Sequence, residues 1–536
     1  MSAMPASILD IFITTANDPS TCGRRGIECG SDAWTYAELE AMSNAMAHEL
    51  KDLLGLRPKV AFVGENHPYV FALMLAVWKI GGIFIPIDAH VPPALLDGML
   101  DIVKPACMYL SAVDVSNVSR ASKLPVEVRV FHPENSTIPT LNKQYGSGST
   151  ALKCKYSADE PCMYLFTSSA SSAENLKAVP LTPKLILSNC QSKLAWWREI
   201  QPTATLDGTR VLGWAPWSHV LSHMQDIGTA TRSKPGPDLT TRVIDGVLNK
   251  KVTALAALPF VISGMKDEYE GGCTALIHAL RGMTMLECGG ASLDPAVAEW
   301  AESSGVPLMV GIGMTETGGA IFVGRAKESL HGFSQGALIA GAKLSLDACE
   351  GAVEGELVVK SKLLPHGYIG YNDGSFSVDS QGWVMFKTRD RYRVQDSKFL
   401  WLGRATDYIQ ACRMTSGESL DPRPIEKMLR SAALISDACI IGDTFLRGAS
   451  TAVCAIVELS GEAKRLDTAS KMKEVARVLA PINAASPPAL RISMASVLIL
   501  NGAEKIPRTK KGDVFRKKIE DVFGKALKGG VASWSR

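Results

Sequence analysis

The chain has 536 residues, of which 46% are hydrophobic and 21% are charged. A chain of this length exceeds one ordinary hydrophobic core, so we expect a soluble globular protein of at least two domains. The formal net charge of +3 gives no reason to expect nucleic acid or an acidic membrane surface as a partner. The composition also excludes collagen-like and disordered proteins.

The 12 cysteines are scattered, and none forms a CxxC pair or zinc-finger spacing. In a long chain they are typical of reduced core residues, which predicts a cytoplasmic location. The first residues lack a basic segment followed by an apolar stretch, so we expect no secretory signal. The longest apolar runs, such as residues 69–77 and 254–262, are much shorter than a bilayer span, so we expect no membrane span.

Short apolar runs alternate with helix-like segments from the start of the chain. The patterns predict helices at residues 43–53 and 68–80 and buried strands at residues 59–64 and 82–87. This alternation indicates parallel sheets with helices on their faces. It recurs at residues 251–263 and 283–310.

The pattern changes near residue 350. Residues 355–360 and 382–387 resemble antiparallel strands bordered by glycine turns, and a smaller unit of strands and helices follows. We therefore predict an α/β protein with a large domain over residues 1–403 and a smaller α+β domain over residues 404–536. The large domain is expected to combine parallel and mixed sheets, flanking helices and a small β-barrel-like part.

The first candidate motif, residues 165–179, is an apolar strand followed by a loop of small hydroxyl residues and then Lys177. Such a loop can surround phosphate oxygens with N–H groups and hydroxyls while the lysine supplies charge. It is not a Walker P-loop, because GxxxxGK[ST] is absent. A serine-rich surface loop is the alternative, so this motif alone does not establish phosphate binding.

The second motif is an aromatic-rich turn that ends in His219, with His223 four residues later. A histidine pair at this spacing can bind zinc, but no glutamate follows as in HExxH and no third ligand is evident. The turn suits a pocket wall with His219 at its mouth. A hydrogen-bonded histidine within ordinary packing is the alternative.

The third motif brackets Thr315 and Glu316 with glycines after the apolar residues 306–310. Thr315 can hydrogen-bond a phosphate, and Glu316 can hold Mg²⁺, which prefers oxygen ligands and retains waters. A capped glycine turn is the alternative. The spacing does not match the dinucleotide fingerprint GxGxxG, which argues against an NAD-dependent oxidoreductase.

Two further groups involve Asp390 with Arg404, and Lys511 in a basic C-terminal segment. An aspartate can accept both hydroxyls of a ribose, and an arginine can reach ribose or phosphate. A lysine on such a segment can neutralise developing pyrophosphate or carboxylate charge. Each signal is weak alone, because a basic tail is usually a solvated face.

Together and in this order, these segments resemble the adenylate-forming superfamily of AMP-binding enzymes. That superfamily comprises acyl- and aryl-CoA ligases, firefly luciferases and the adenylation domains of nonribosomal peptide synthetases (NRPS). The resemblance covers nearly the whole chain, from Trp34-Thr-Tyr-Ala-Glu-Leu39 to Pro507-Arg-Thr509. Its details are most similar to the fungal NRPS-like branch, in the segments Asn175-Leu-Lys177, Ala215-Pro-Trp-Ser-His219 and Gly417-Glu-Ser-Leu-Asp-Pro422.

The resemblance implies a role for each candidate residue. The implied catalytic residues are Lys511, Thr315, Glu316 and His219, and Glu316 is the implied Mg²⁺ ligand. The implied nucleotide contacts are Thr167, Ser168, Ser169 and Lys177 in the phosphate loop, Gly289, Gly290, Ala291 and Ile312 at the adenine, and Asp390 and Arg404 at the ribose. Gly417 falls on the loop that approaches the pantetheine arm, and Thr406 or Asp407 lies at a hinge that makes the smaller domain mobile.

The resemblance also implies the reaction. With ATP and Mg²⁺ the protein would activate a carboxylic acid as its acyl-AMP and pass the acyl group to CoA, or to phosphopantetheine on a carrier protein in trans. Amino-acid-activating members usually carry an aspartate after the aromatic turn, whereas Trp217-Ser-His219-Val has none. This favours an aryl or other non-amino acid, and the NRPS-like resemblance indicates secondary metabolism.

Several positions depart from the family pattern. Ser169 and Ser172 stand where the phosphate loop usually has glycines, and Arg389 replaces the glycine of Thr-Gly-Asp. Asp513 occupies the usual place of the late catalytic lysine, which the fungal branch tends to put before the glycine, at Lys511. These departures keep a second hypothesis open: a catalytically inactive nucleotide-binding homologue that serves as an interaction module.

Overall fold

The chain folds into two compact units. The large unit is Met1–Thr388 with Arg393–Leu400, and the small unit is Arg389–Tyr392 with Trp401–Arg536. The computed structural model of the protein describes residues 7–29, 32–112, 124, 126–132, 151–152, 154, 157–167, 176–201, 208–213, 217–219, 239–334, 339–348, 351–405, 409–410, 419–420, 422–442, 453–461, 463–485, 491–500, 504–508, 514–516, 518–519 and 522–523. Within these ranges, no helix has both the length and the apolar character that crossing a bilayer requires.

The helices of the large unit are α1 (Ile8–Asn17), α2 (Tyr36–Leu54), α3 (Pro68–Lys79), α4 (Pro93–Val103), α5 (Pro183–Ile200), α6 (Leu239–Asn249), α7 (Pro259–Glu270), α8 (Thr274–Arg281), α9 (Pro295–Ser303) and α10 (Glu328–His331). Helix α2 begins with a capping box between Thr35 and Glu38, which satisfies two backbone N–H groups that the helix leaves unpaired. Helix α3 begins at Pro68, where a missing N–H costs nothing. Both helices cover segments where the sequence predicts them.

The first sheet of the large unit is mostly parallel. Its strands are β3 (Lys59–Gly64), β4 (Ile83–Asp88), β5 (Cys107–Ser111), β6 (Glu127–Phe131), β7 (Met163–Phe166) and β8 (Ala178–Leu181), in the order β6-β5-β3-β4-β7-β8. Neighbouring strands run parallel except β7 and β8, which are antiparallel. The inner residues of β3 and β4 are buried, as in a parallel sheet covered on both faces. Strands β1 (Arg25–Cys29) and β2 (Asp32–Thr35) form a separate antiparallel pair.

The second sheet of the large unit is mixed. It contains β9 (Ala254–Ala257), β10 (Met285–Gly289), β11 (Leu308–Met314) and β12 (Gly319–Arg325), in the order β12-β11-β10-β9. Strands β9, β10 and β11 are parallel, and β12 returns antiparallel to β11. The carboxyl ends of the three parallel strands therefore meet at one edge, where α/β sheets generally bind ligands.

The third sheet contains both segments for which the sequence predicts antiparallel strands, and each of them pairs antiparallel with a neighbouring strand. Its strands are β13 (Lys343–Asp347), β14 (Glu354–Ser361), β15 (Phe376–Val378), β16 (Val384–Gln395) and β17 (Lys398–Arg404), in the order β13-β14-β16-β15 with β17 on β16. Every second residue of β14 is buried, the period expected of a half-buried strand. The prediction of antiparallel strands at 355–360 and 382–387 is confirmed.

The small unit has its own core. Its remaining elements are β18 (Ile409–Gln410), β19 (Ser419–Leu420), α11 (Pro422–Arg430), β20 (Ile435–Gly442), β21 (Val453–Leu459), α12 (Thr468–Ala485) and β22 (Val497–Leu500). Strand β21 pairs with β20 antiparallel and with β22 parallel. Leu429 of α11 and Val475 of α12 are buried in one cluster with Val457 of β21. The predicted α/β fold class, with parallel and mixed sheets and flanking helices, is confirmed.

Arg389 has a backbone conformation that explains why a glycine suits its position. Its φ is +60°, in the left-handed region that costs an L-residue roughly 1–2 kcal/mol. Glycine adopts this conformation without a steric penalty. The arginine that departs from the Thr-Gly-Asp pattern therefore retains the backbone conformation that glycine favours.

We predict opposite behaviour for two substitutions at this position. Arg389→Val should lower the free energy of unfolding by about 1 kcal/mol beyond the cost that arginine already bears, because a β-branched side chain tolerates positive φ less well than arginine does. Arg389→Gly should be as stable as the parent or more so. Calorimetric melting of the full chain measures both. Lys387→Val, at an exposed position of the same strand, is the control, and an equal loss there would contradict the backbone explanation.

Candidate functional site

The predicted phosphate loop is closed at its base by two antiparallel strands. Strand β7 pairs with β8 in the register Phe166–Ala178, and the Thr167 N–H donates to the Lys177 carbonyl over 3.1 Å. Thr167 is buried. Ser168, Ser169 and Ser172 lie outside the described residues. The pairing places Thr167 and Lys177, two of the predicted phosphate contacts, next to each other.

The ammonium group of Lys177 lies against one carboxylate and two aromatic rings. Its Nζ is 2.5 Å from Asp373 Oδ2, 4.8 Å from the centre of the Tyr368 ring and 5.0 Å from that of Tyr371. The Lys177 and Asp373 side chains are only 15% and 9% exposed. Water screens the attraction between these two charges less than it would in an exposed pair, while the removal of both charges from water opposes that gain.

Tyr368 connects this lysine to the predicted magnesium ligand. Its hydroxyl donates to Glu316 Oε1 over 2.7 Å, while its ring lies beneath the Lys177 ammonium. Glu316 belongs to a 3-10 helix, Thr315–Thr317, that directly follows β11. Lys177 and Glu316, which are 139 positions apart in sequence, are therefore joined through one side chain.

The loop before β15, residues 366–376, supplies these new contacts and is fixed to β8. The Ile369 N–H donates to the Ala178 carbonyl over 2.8 Å. A cavity of about 240 Å³ lies against the loop, and its lining includes His366, Tyr368, Tyr371, Asn372, Asp373 and Phe376. Sequence analysis missed these residues, although two tyrosines among glycines, followed by Asn372-Asp373, are an available signal.

The predicted adenine contacts share an edge of the second sheet with Thr315 and Glu316. Gly289, the last residue of β10, pairs with Gly311 of β11, and Ile312 is the next residue of β11. Gly290 and Ala291 follow β10 directly. Gly290 has φ +85°, a backbone conformation that favours glycine.

A buried ion pair lies beneath this edge. Lys193 of α5 contacts Glu287 of β10, and both side chains are almost completely buried. A Cβ on Gly311 would lie 2.5 Å from Glu287 Oε1, so the glycine leaves room for the carboxylate. The Asn189 amide also donates to the Ala320 carbonyl over 2.9 Å. Helix α5, which follows β8, is thereby fixed to β10 and β12.

Trp217, two residues before His219, packs near the end of β3. The Trp217 N–H donates to Asn66 Oδ1 over 2.9 Å, and its ring centre is 5.9 Å from that of Phe71. His219 is partly buried, and His223 lies outside the described residues. The described ranges contain no group of three or more His, Cys, Asp or Glu side chains arranged to hold a metal.

In the small unit, the predicted ribose pair is in contact. Arg404 Nε lies 3.1 Å from Asp390 Oδ1, and Asp390 is almost fully buried whereas Arg404 is half exposed. The neighbouring Tyr392 is also buried, which raises the pKa of its phenol well above the usual value. Thr406, Asp407 and Gly417 lie outside the described residues.

Lys511 and Asp513 lie outside the described residues, but their flanks are held by ion pairs. Arg508 contacts Asp437 Oδ1 of β20 over 2.6 Å, and Lys505 contacts Glu458 of β21 over 2.6 Å. The Phe515 N–H donates to the Pro507 carbonyl over 2.7 Å. Lys505 and Arg508 therefore pair with carboxylates instead of forming only a solvated face.

Both parts of the chain match models of one protein family. The family model described as "AMP-binding enzyme" matches residues 16–369, and the model described as "AMP-binding enzyme C-terminal domain" matches residues 410–529. The chain belongs to the AMP-binding enzyme family. The resemblance deduced from the ordered motifs is thus confirmed for both parts of the chain.

Individual relatives of this AMP-binding enzyme come from fungi and bacteria. It is 49% identical to hispidin synthase of Neonothopanus nambi over 98% of its own length, and it spans 33% of that protein. It is 24% identical to a feruloyl-CoA synthase of an Amycolatopsis species, with 77% of this chain and 81% of the relative covered. ATP-bound MatB from Rhodopseudomonas palustris shares its fold with a TM-score of 0.76 and 18% identity, over 98% of this chain and 100% of MatB.

The Lys177–Asp373 pair predicts a specific pH dependence of stability. Burial raises the pKa of Asp373, but hydrogen bonds from Lys177 and Ser375 outweigh burial and bring it to about 2, below the usual 3.8. A lowered pKa means that the folded state binds its proton less readily than the unfolded state. The stabilisation is therefore complete above pH 3.8 and is lost as the pH falls towards 2.

Asp373→Asn should consequently melt at a lower temperature than the parent at pH 6, because the ion pair is lost. The difference should shrink as the pH falls from about 4 towards 2, where the parent carboxylate becomes protonated. Differential scanning calorimetry over this range provides the measurement. Lys177→Met should show the same trend, and a difference that stays constant with pH would contradict the assignment.

Proposed function

We propose that the protein activates a carboxylic acid with ATP as an acyl-adenylate and transfers the acyl group to a thiol. The observation that carries this proposal is a pair of side-chain contacts, from Lys177 to Tyr368 and from Tyr368 to Glu316. They join the base of the phosphate loop to the turn that contains Thr315 and Glu316. A lysine, a threonine and a glutamate so placed suit a polyphosphate. Membership of the AMP-binding family supports the same conclusion.

In the proposed first step, a carboxylate oxygen of the acid attacks the α-phosphorus of ATP. A bond forms between this oxygen and the α-phosphorus. The bond between the α-phosphorus and the oxygen that bridges it to the β-phosphorus breaks, and pyrophosphate leaves with the electron pair of that bond. The protein's task is positioning and charge neutralisation. Lys177 and the Thr167 and Thr315 hydroxyls would bind phosphate oxygens, and Lys511 would neutralise the charge that develops at the α-phosphate.

Glu316 is a suitable ligand for Mg²⁺. One of its carboxylate oxygens accepts from Tyr368, and the side chain is partly exposed. Mg²⁺ typically takes one or two protein carboxylates together with substrate phosphates and waters, so a single glutamate beside Thr315 fits that chemistry. The ion would neutralise polyphosphate charge when bound. Tyr368 would orient Glu316 for it.

In the proposed second step, a thiolate attacks the acyl carbonyl, a thioester forms and AMP leaves. CoA or a carrier-protein phosphopantetheine would supply the thiol, with Gly417 beside the incoming arm. We propose that residues 1–403 form the AMP-binding core and that residues 404–536 form a smaller domain that moves about Thr406 or Asp407. Such movement would remove Lys511 and admit the thiol.

The acid is proposed to be an aryl or other non-amino carboxylic acid. The turn Trp217-Ser-His219-Val lacks the aspartate that would hold an α-ammonium group. The relative named feruloyl-CoA synthase supports an aryl acid, and the longer hispidin synthase supports a role in fungal-type secondary metabolism. Because that protein is three times as long, we do not infer its whole activity for this chain.

Acid-dependent exchange of pyrophosphate into ATP tests the proposal. Across a panel of aryl acids, fatty acids and amino acids, we expect exchange with at least one aryl acid and none with amino acids. Nucleotide-induced thermal stabilisation is the parallel measurement. Stabilisation by ATP without exchange for any acid would support the alternative, a catalytically inactive nucleotide-binding homologue that acts as an interaction module.

Lys511→Ala tests the proposed catalytic lysine. We expect exchange to fall by about 100-fold or more, the typical effect of removing a group that stabilises developing charge, while the Kd for ATP stays within several-fold. The matched control is Lys510→Ala, which removes the neighbouring charge and should retain most of the exchange. Unchanged exchange in Lys511→Ala would show that another residue has this role.

A further inference from the structure

Lys177 has an unusual position for a residue expected to bind phosphate, because its charge already has a partner. The Asp373 carboxylate is 2.5 Å away, and both side chains are largely shielded from water. A polyphosphate that is to take this ammonium group must compete with the carboxylate. The competition has a cost, because the attraction between the lysine and the aspartate must be given up.

The two tyrosine rings interact with the same ammonium group without neutralising it. Tyr368 and Tyr371 lie 4.8 and 5.0 Å from Lys177 Nζ, within the range of cation–π attraction. This attraction is independent of which anion occupies the remaining side of the ammonium group. The rings can therefore hold Lys177 in place while one anion replaces another.

Asp373 keeps other partners if the lysine turns to another anion. The Ser375 N–H donates to Asp373 Oδ1 over 3.0 Å, and the Ser375 hydroxyl also bonds the carboxylate. A carboxylate with such donors stays solvated by the protein. Release of Lys177 thus does not leave a buried charge without hydrogen bonds.

From these contacts we propose that Asp373 is the resting counter-ion of Lys177, and that the polyphosphate of the nucleotide displaces it. This inference rests on the proposed function. Asp373 acts through Lys177 as a positioning residue: it holds the lysine at the base of the phosphate loop in the absence of nucleotide. Its presence lowers the affinity for ATP, because the nucleotide must first replace it.

Calorimetric titration of ATP and of adenosine into the full chain provides the test. Asp373→Asn should lower the Kd for ATP by about fivefold, the effect of relieving an ion pair of ordinary strength. The Kd for adenosine, which has no phosphates, should not change. Asp373→Glu keeps the charge and should remain within about twofold of the parent for ATP.

A double-mutant cycle separates this exchange from simple repulsion between Asp373 and the phosphates. In the Lys177→Ala background, Asp373→Asn should give no further gain in ATP affinity. Asp379→Asn is the matched control, because Asp379 forms a similar pair with Lys360 over 3.0 Å, and it should leave both Kd values unchanged. If Asp373→Asn folds poorly, Asp373→Ser replaces it, and it should lower the Kd for ATP in the same way.

Three results would overturn the inference. The Kd for ATP could rise in Asp373→Asn, it could stay unchanged, or the gain in ATP affinity could persist in the Lys177→Ala background. Failure of the proposed function looks different. In that case the parent chain would bind neither ATP nor adenosine, or it would bind ATP without supporting exchange for any acid. The titrations together with the pyrophosphate-exchange assay therefore distinguish the two failures.

Discussion

The need to compensate one shielded positive charge organises the candidate site. Lys177 ends the predicted phosphate loop, and its ammonium group is largely removed from water. Such a charge is stable only with an anion or aromatic faces around it. Residues 366–376 supply both, through Asp373, Tyr368 and Tyr371. Through Tyr368 the same segment reaches Glu316, so the residues that compensate the lysine also contact the glutamate.

The two sheets of the large unit provide the framework for this contact. Thr167 follows β7 and Glu316 follows β11, so each lies at the carboxyl end of a strand in its own sheet. Helix α5 fixes the sheets to each other, because it follows β8 and is bonded to β10 and β12 through Lys193 and Asn189. Gly311 and Gly318 leave space for this packing, because a Cβ at Gly311 would lie 2.5 Å from Glu287 Oε1 and a Cβ at Gly318 would lie 2.8 Å from Leu185 Cγ of α5. The absence of a side chain at these glycines therefore allows the close packing at the sheet edges.

The sequence permitted prediction of the fold class, the antiparallel strands after residue 350 and the grouping of Thr315 with Glu316, because each depends on local pattern. It also indicated Lys177 from the strand and loop around it. It did not reveal Asp373, Tyr368 or Asn66, because their contacts join segments far apart in the chain and no periodicity records a tertiary contact. Asp390 and Arg404 were grouped from their residue types, and their place at the ribose follows from the family resemblance. The roles of all the site residues stay predictions, and several of these residues, including Lys511 and Gly417, lie outside the described ranges.

The charges of the cluster explain why further cations are needed for the proposed chemistry. Asp373 and Glu316 are carboxylates, and Lys177 is the ammonium group that pairs with Asp373. These three side chains together carry one more negative than positive charge at neutral pH. A polyphosphate that approaches them would be repelled unless a cation accompanied it. Mg²⁺ at Glu316 and Lys511 from the small unit are the cations that the proposed reaction supplies, so the departure at Asp513 matters less than whether Lys511 reaches the phosphate.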